Sequence, residues 1–233
     1  KEEEVRRQAV SNLKEAGIEA LVVIGGDGSF RGANALYKEF DFPVVGIPGT
    51  IDNDIYGTDF TIGFDTAINT AVEAIDKIRD TADSHNLLFF VEVMGRDAGF
   101  IGLYTGIATG AEQCLIPEYH TDVDKLCQYL VNERRKNKTS GIIVVAEGDD
   151  AGSAHEVAAQ VKERLPHYDT RVTTLGHIQR GGSPTCNDRV LASVLGNGAV
   201  EALMKGWSGV MVGQTNGGIT YTPFNQACTR HNL

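Results

Sequence analysis

Ala20-Leu21-Val22-Val23-Ile24-Gly25-Gly26-Asp27-Gly28-Ser29 and Val44-Val45-Gly46-Ile47-Pro48-Gly49-Thr50-Ile51-Asp52-Asn53-Asp54 follow one plan. Each is a hydrophobic run leading into a cluster of glycine and aspartate, which predicts a buried strand with a loop at its carboxyl end. A helical stretch through Ala33 and Leu36 joins them, as a parallel βαβ unit requires. Open α/β sheets bind ligands at that end of their strands, where neighbouring loops converge. A glycine-rich turn entering a helix lets backbone N–H groups approach phosphate, and aspartates there hold Mg²⁺ or accept a proton. The pair of motifs therefore points to phosphoryl transfer.

The same alternation runs outward along the chain. Ala67, Ile68, Ala71, Val72, Ile75 and Ile78 recur at helical spacing over 64–79. Strands are expected over 87–93, 114–116, 142–146, 172–175 and around 210–212. Helices are expected about Leu126 and Leu130, about Val157 and Val161, and over 188–204. Strands alternating with helices throughout predict an α/β fold of mainly parallel sheets, covered on both faces.

Composition narrows the function. With 42% hydrophobic and 22% charged residues the chain can bury a large core, and its net charge of −10 opposes nucleic acid or a membrane surface as partner. Cys114, Cys127, Cys186 and Cys228 are scattered, without metal-ligand spacing, and read as idle thiols of a reducing cytosol. The absence of a long apolar run or a leader predicts a soluble, cytoplasmic protein. The opening Lys1-Glu2-Glu3-Glu4 falls inside an amphipathic helix, which gives the expectation that the chain is a segment of something longer.

Several constellations carry the chemistry. A tight turn alone would explain Gly25 to Ser29, but a carboxylate in a phosphate-approaching loop is repulsive unless a cation bridges it, so Asp27 implies Mg²⁺. Asp52 suits a general base, whereas Asp54 fits an Asx-turn. Arg96, after Met94-Gly95 at a strand end, suits the charge that builds on a transferring phosphoryl group; an ion pair is the plainer account. Arg171, His177 and Arg180 read as a cationic clamp for a phosphate dianion around a Gly-Gly turn. Arg79, Lys136 and Lys138, at a helix end and in a turn, read as solvated charges.

Taken together, these segments resemble the bacterial-type ATP-dependent 6-phosphofructokinases. The matching motifs are G-G-D-G-S at Gly25 to Ser29, P-G-T-I-D-N-D at Pro48 to Asp54, V-E-V-M-G-R at Val91 to Arg96 and L-G-H-I-Q-R-G-G-S-P at Leu175 to Pro184. The resemblance implies two similar three-layer domains, with fructose 6-phosphate and MgATP in the cleft between them. The nucleotide-binding domain would comprise 1–63 plus 179–226, and the sugar-phosphate-binding domain 64–178 plus 227–233. It implies Asp52 as the base, with Thr50 and Arg96 steadying the transferred group. Gly26, Asp27, Gly28 and Ser29 would hold the nucleotide, Asp27 through Mg²⁺. The sugar phosphate would be held by Thr50, Ile51, Asp52, Met94, Gly95, Arg96, Glu147, Arg171, His177, Ile178, Gln179 and Arg180. Family effector sites for ADP or phosphoenolpyruvate match Arg79, Gly110, Ala111, Glu112, Lys136 and Lys138, and the family is usually a homotetramer.

Two rivals accompany this reading, a pyrophosphate-dependent relative and a non-catalytic regulatory paralogue. Pyrophosphate-using members typically carry Asp at Gly28 and Lys at Gly49, so these glycines favour ATP; Asp27, Asp52 and Arg96 oppose the paralogue. Relative to the family, the chain lacks an amino-terminal strand with its phosphate loop and an arginine bridging the two substrates. It also carries Leu87 where an arginine usually reaches the neighbouring subunit's sugar phosphate, so weaker or less cooperative sugar-phosphate binding is expected.

Overall fold

The computed structural model describes residues 2–135 and 140–229. These fall into two compact units, 2–63 with 185–229 and 64–135 with 140–184. The first opens with α1 (Glu2–Glu15), β1 (Leu21–Gly25), α2 (Asp27–Phe40), β2 (Val44–Thr50) and the short β3 (Ile62–Gly63). The second runs through α3 (Phe64–His85), β4 (Leu88–Val93), α4 (Phe100–Thr109), β5 (Gln113–Leu115), α5 (Val123–Arg135), β6 (Gly141–Ala146), α6 (Ala154–Arg164), β7 (Thr170–Thr174) and a 3-10 turn, Gly176–Arg180. The chain then re-enters the first unit as α7 (Cys186–Met204), β8 (Val210–Thr215), β9 (Gly218–Pro223) and α8 (Phe224–Ala227).

In the first unit the strand order among the described residues is β1-β2-β8-β9, with β3 beside β2. Every pairing is parallel except β8 with β9. β2 is buried from Val44 to Pro48 because α2 and α8 cover one face and α7 the other. Phe30 of α2 and Phe224 of α8 lie 5.5 Å apart over Gly46, where a Cβ would come within 2.6 Å of both rings. β1 departs from the expected buried strand. Among the described residues it has one neighbour in the sheet, and Ile24 is 66% exposed.

The second unit has the order β5-β6-β4-β7, all parallel. β6 is buried throughout because it is central, and α5 and α6 close one face over Phe90, Ile143 and Val145. α6 starts at Ser153 with a reciprocal capping box to Glu156, which satisfies two otherwise orphaned backbone donors.

The return to the first unit comes later than expected. Residues 179–184 stay with the second unit because the 3-10 turn packs on α3, and residues 227–229 stay with the first because α8 packs on α2. Among the described residues no helix is long and apolar enough to cross a membrane. The cysteines are free; Cys114, Cys127 and Cys228 have thiol pKa values raised by burial, while Cys186 is exposed.

Candidate active site

The first unit brings its two glycine-aspartate motifs to neighbouring strand ends. β1 and β2 run side by side in register from Leu21 with Val44 to Gly25 with Pro48, so their carboxyl ends emerge together. The expected loop after β1 shrinks to Gly26, the N-cap of α2, and Asp27, Gly28 and Ser29 form the first helical turn. Gly25 has no room for a side chain because a Cβ would stand 2.4 Å from the Ser29 hydroxyl. A Cβ on Gly26 would be 3.7 Å from that of Thr50, which places the two motifs against each other. At Gly28 a Cβ would meet nothing within 4 Å, so the turn is open on that side.

Asp27 accepts a 2.7 Å hydrogen bond from the Gly28 N–H, and its other oxygen pairs with the Arg31 guanidinium one turn on. Arg31 was not among the predicted site residues. Its signal was the four-residue spacing from Asp27, a commonplace helical pair that nothing in the sequence singles out. Among the described residues no group of three histidine, cysteine or acidic side chains forms a metal cage. Asp27 offers one carboxylate that Mg²⁺ could take where the Arg31 guanidinium gives way, which suits an ion that keeps several waters and binds through one or two carboxylates plus substrate phosphates.

The second motif extends β2 further than expected, since Pro48 to Thr50 are still strand. Thr50 at the strand end accepts from the Asp52 N–H at 3.3 Å, and Asp52 is buried, at 6% exposure. Turn stabilisation falls to Asn53 as well as to its neighbours. Asn53 adopts a left-handed backbone with φ of 57°, accepts from the Thr61 N–H at 2.8 Å and donates to the Asp59 carbonyl at 3.1 Å. Its amide ties the motif to residues 59–61, and Thr61 returns a 2.7 Å bond to the Thr50 carbonyl.

In the second unit three loops meet at the carboxyl ends of the adjacent strands β6, β4 and β7. After β4, Gly95 has φ of 148° and Arg96 φ of 52°, and the Ala98 N–H closes the turn on the Gly95 carbonyl at 3.0 Å. The turn presents the exposed Arg96 above a buried Met94. After β6, Glu147 donates its N–H to the Val93 carbonyl at 3.0 Å. Gly148 lies so near that a Cβ would be 2.1 Å from the Arg96 carbonyl oxygen. Glu118, absent from the predicted set, accepts from the Gly99 N–H at 2.7 Å and fixes the end of the Arg96 turn.

The segment after β7 presents His177, Ile178 and Arg180 as exposed side chains, but Gln179 points inward and is 1% exposed. Arg171 does not join His177 and Arg180. It lies at the start of β7, opposite Phe89, while His177 follows the strand's end, and at about 3.3 Å per residue the strand's length separates them. Its guanidinium pairs with Asp169. Leu87 lies at that same end of the sheet and is buried, with its N–H on the Ala82 carbonyl.

Arg79 sits inside α3, which continues to His85, and its guanidinium donates to the Thr109 carbonyl at the end of α4. Gly110 is the left-handed cap of that helix, and the Glu112 N–H bonds the Ile142 carbonyl at 2.8 Å. Arg79 is therefore brought to Gly110, Ala111 and Glu112; Lys136 and Lys138 lie outside the described residues.

The phosphofructokinase family model matches residues 1–203. An ATP-dependent 6-phosphofructokinase 2 of Bacteroides thetaiotaomicron is 56% identical over 96% of this chain and 69% of its own length. An ATP-dependent 6-phosphofructokinase 1 of Thermus thermophilus is 58% identical over 98% of this chain and 70% of its own. The solved phosphofructokinase of Pichia pastoris in the T-state superposes with a TM-score of 0.87 at 37% identity, over 96% of this chain and 26% of that much longer one. With the glycine-aspartate motifs on adjoining strand ends and near-complete coverage of the chain, this chain belongs to the phosphofructokinase family.

Proposed function

We propose that the protein transfers the γ-phosphate of MgATP to the 1-hydroxyl of fructose 6-phosphate, giving fructose 1,6-bisphosphate and ADP. The observation that carries this reading is the adjacency of the two strand ends. A glycine turn that opens α2 stands against Thr50, two residues before the buried Asp52. Asp52 takes the proton of the 1-hydroxyl as its oxygen attacks the γ-phosphorus in line and the bond to the ADP oxygen breaks. Thr50 and Arg96 steady the transferred group. Backbone N–H groups at Gly26 to Ser29 receive the nucleotide phosphates at the helix N-terminus.

Asp27 would hold Mg²⁺, which neutralises charge on the phosphates when bound. Ile51, Met94, Gly95, Glu147, His177, Ile178 and Arg180 receive the sugar phosphate, Glu147 through hydroxyls and the cations through the 6-phosphate. Arg171, expected among the sugar-phosphate ligands, lies at the far end of β7 from His177 and pairs with Asp169, so the 6-phosphate is left to His177 and Arg180. Arg79 with 110–112 would receive an ADP or phosphoenolpyruvate effector. The open space at Gly28 supports ATP as donor, because nothing there displaces the rest of a nucleotide.

The test is turnover of fructose 6-phosphate by the intact protein with MgATP and, separately, with Mg-pyrophosphate. Asp52→Asn is expected to lower kcat by about 10²–10⁴-fold, the range of a positioned general base. Activity with pyrophosphate alone would overturn the donor, and full activity of Asp52→Asn would overturn the base.

A further inference from the structure

Gln179 is a polar residue held in the interior of the second unit, and its contacts do not reach outward. At 1% exposure its Oε1 accepts the Met94 N–H at 2.9 Å, and its Nε2 meets no hydrogen-bond partner among the described residues. The backbone donor fixes the amide's orientation, since flipping it would set two donors against each other. The unsatisfied Nε2 is destabilising, and a methionine of similar length would avoid that loss. A locally unfavourable choice in a buried position calls for a compensating role, and such violations gather at functional sites.

The compensation lies in what the bond joins. Met94 is the last residue before Gly95 and Arg96, both of which hold a left-handed or otherwise positive φ. Gln179 stands between the exposed Ile178 and Arg180, two residues beyond His177. Gln179 therefore links the 3-10 turn bearing His177 and Arg180 to the strand end from which Arg96 projects.

We infer that Gln179 is a positioning residue for the sugar phosphate, setting the Arg96 turn and the His177–Arg180 turn in one fixed relation rather than touching the substrate. This rests on the reading of the second unit as the sugar-phosphate binder. In Gln179→Met the Met94 N–H loses its acceptor; in Gln179→Glu an oxygen remains in reach of it.

The experiment measures steady-state kinetics and amide hydrogen exchange on the intact protein and both variants. For Gln179→Met the ratio kcat/KM for fructose 6-phosphate should fall about tenfold, the factor that ~1.4 kcal/mol represents, with KM for ATP unchanged. Exchange should quicken over 94–98 while 88–92 stays protected, and Gln179→Glu should recover part of both changes. A folded Gln179→Met with sugar-phosphate kinetics within twofold of the wild type would overturn the assignment. So would an equal shift in both substrates' KM, which marks general loosening. If the wild type itself fails to phosphorylate fructose 6-phosphate from ATP, the functional reading falls and the inference with it. Wild-type turnover beside an indifferent Gln179→Met removes only Gln179.

Discussion

At the scale of single residues, Asn53 scaffolds the turn that holds its neighbour Asp52, the proposed base. Asn53 accepts a left-handed backbone, which asparagine tolerates better than most residues, and spends its amide on residues 59 and 61. That bonding holds the turn in which Asp52 lies, so the carboxylate proposed as the base is positioned by its neighbour. Leu87 poses the reverse question. Its side chain is 8% exposed, so an arginine there must carry its guanidinium out past packed neighbours, as long cationic side chains do when they snorkel. Leu87→Arg is expected to tighten fructose 6-phosphate binding and raise its cooperativity, because a charge-assisted hydrogen bond contributes roughly 1.5–3 kcal/mol. Equilibrium binding isotherms of the two proteins check this. Coincident curves would show that position 87 faces no bound phosphate.

At the scale of elements, packing and loop tethers decide what each strand can present. β2 passes beneath Phe30 and Phe224 only because Gly46 has no side chain, so Gly46→Ala should destabilise the first unit by about 1–3 kcal/mol through overpacking. A thermal unfolding midpoint unchanged from wild type would show that the two rings can separate freely. In the second unit, the loop after β5 is strapped to the loop after β6. Thr121 donates its hydroxyl to Asp149 at 2.8 Å and its N–H to Asp150 at 2.9 Å, while His120 pairs with Asp150. The hydrogen bond to Asp150 raises the His120 pKa above 6.5, and the same bond holds Asp150 below 3.8; burial pushes the Asp149 carboxyl up. The histidine's contribution is present in full below pH 6.5 and is lost as pH rises through its elevated pKa. The Asp150 contribution is present above 3.8 and lost as pH falls through its depressed pKa. The His120 ring resonances should titrate with a midpoint above 6.5 and return close to it in Asp150→Asn. An identical midpoint in both proteins would break the pairing.

These elements were legible in the chain to different degrees. Strands β1, β2, β4 and β6 announce themselves as apolar runs, and α3 by its spacing. β9 escapes the sequence reading although Ile219 to Thr222 alternates apolar residues with threonine as a strand does, because the run is only four residues long between the Asn216-Gly217-Gly218 turn and Pro223, and its partner β8 is what identifies it. The candidate site is legible where a motif is local, as in Gly25 to Ser29, which the structure places at a strand end opening a helix. It was hidden where a contact spans the chain, as in Gln179 with Met94 and Glu118 with Gly99, which no periodicity encodes.

At the scale of the whole molecule, an acidic chain is proposed to bind anionic substrates, and the two charge scales oppose each other. The net charge of −10 repels a sugar phosphate from a distance, while His177 and Arg180 would attract it at contact. A unit charge about 20 Å away contributes only ~0.2 kcal/mol in water, against ~1–4 kcal/mol for one at about 4 Å. At about 0.1 M salt, where the Debye length is about 10 Å, the distant term shrinks further to roughly a seventh of that. Contact wins, and the net field mainly slows the approach. Raising salt from about 0.1 M to about 1 M shortens the Debye length to about 3 Å, which should weaken fructose 6-phosphate binding severalfold while leaving its association rate unchanged or faster. Titration calorimetry and stopped-flow binding across that range separate the two effects. Arg180→Gln should both weaken binding and flatten its dependence on salt, since the contact charge that salt screens is gone. Binding that tightens with salt would mean that the molecule's overall charge governs recognition and that the cations after β7 do not contact the phosphate.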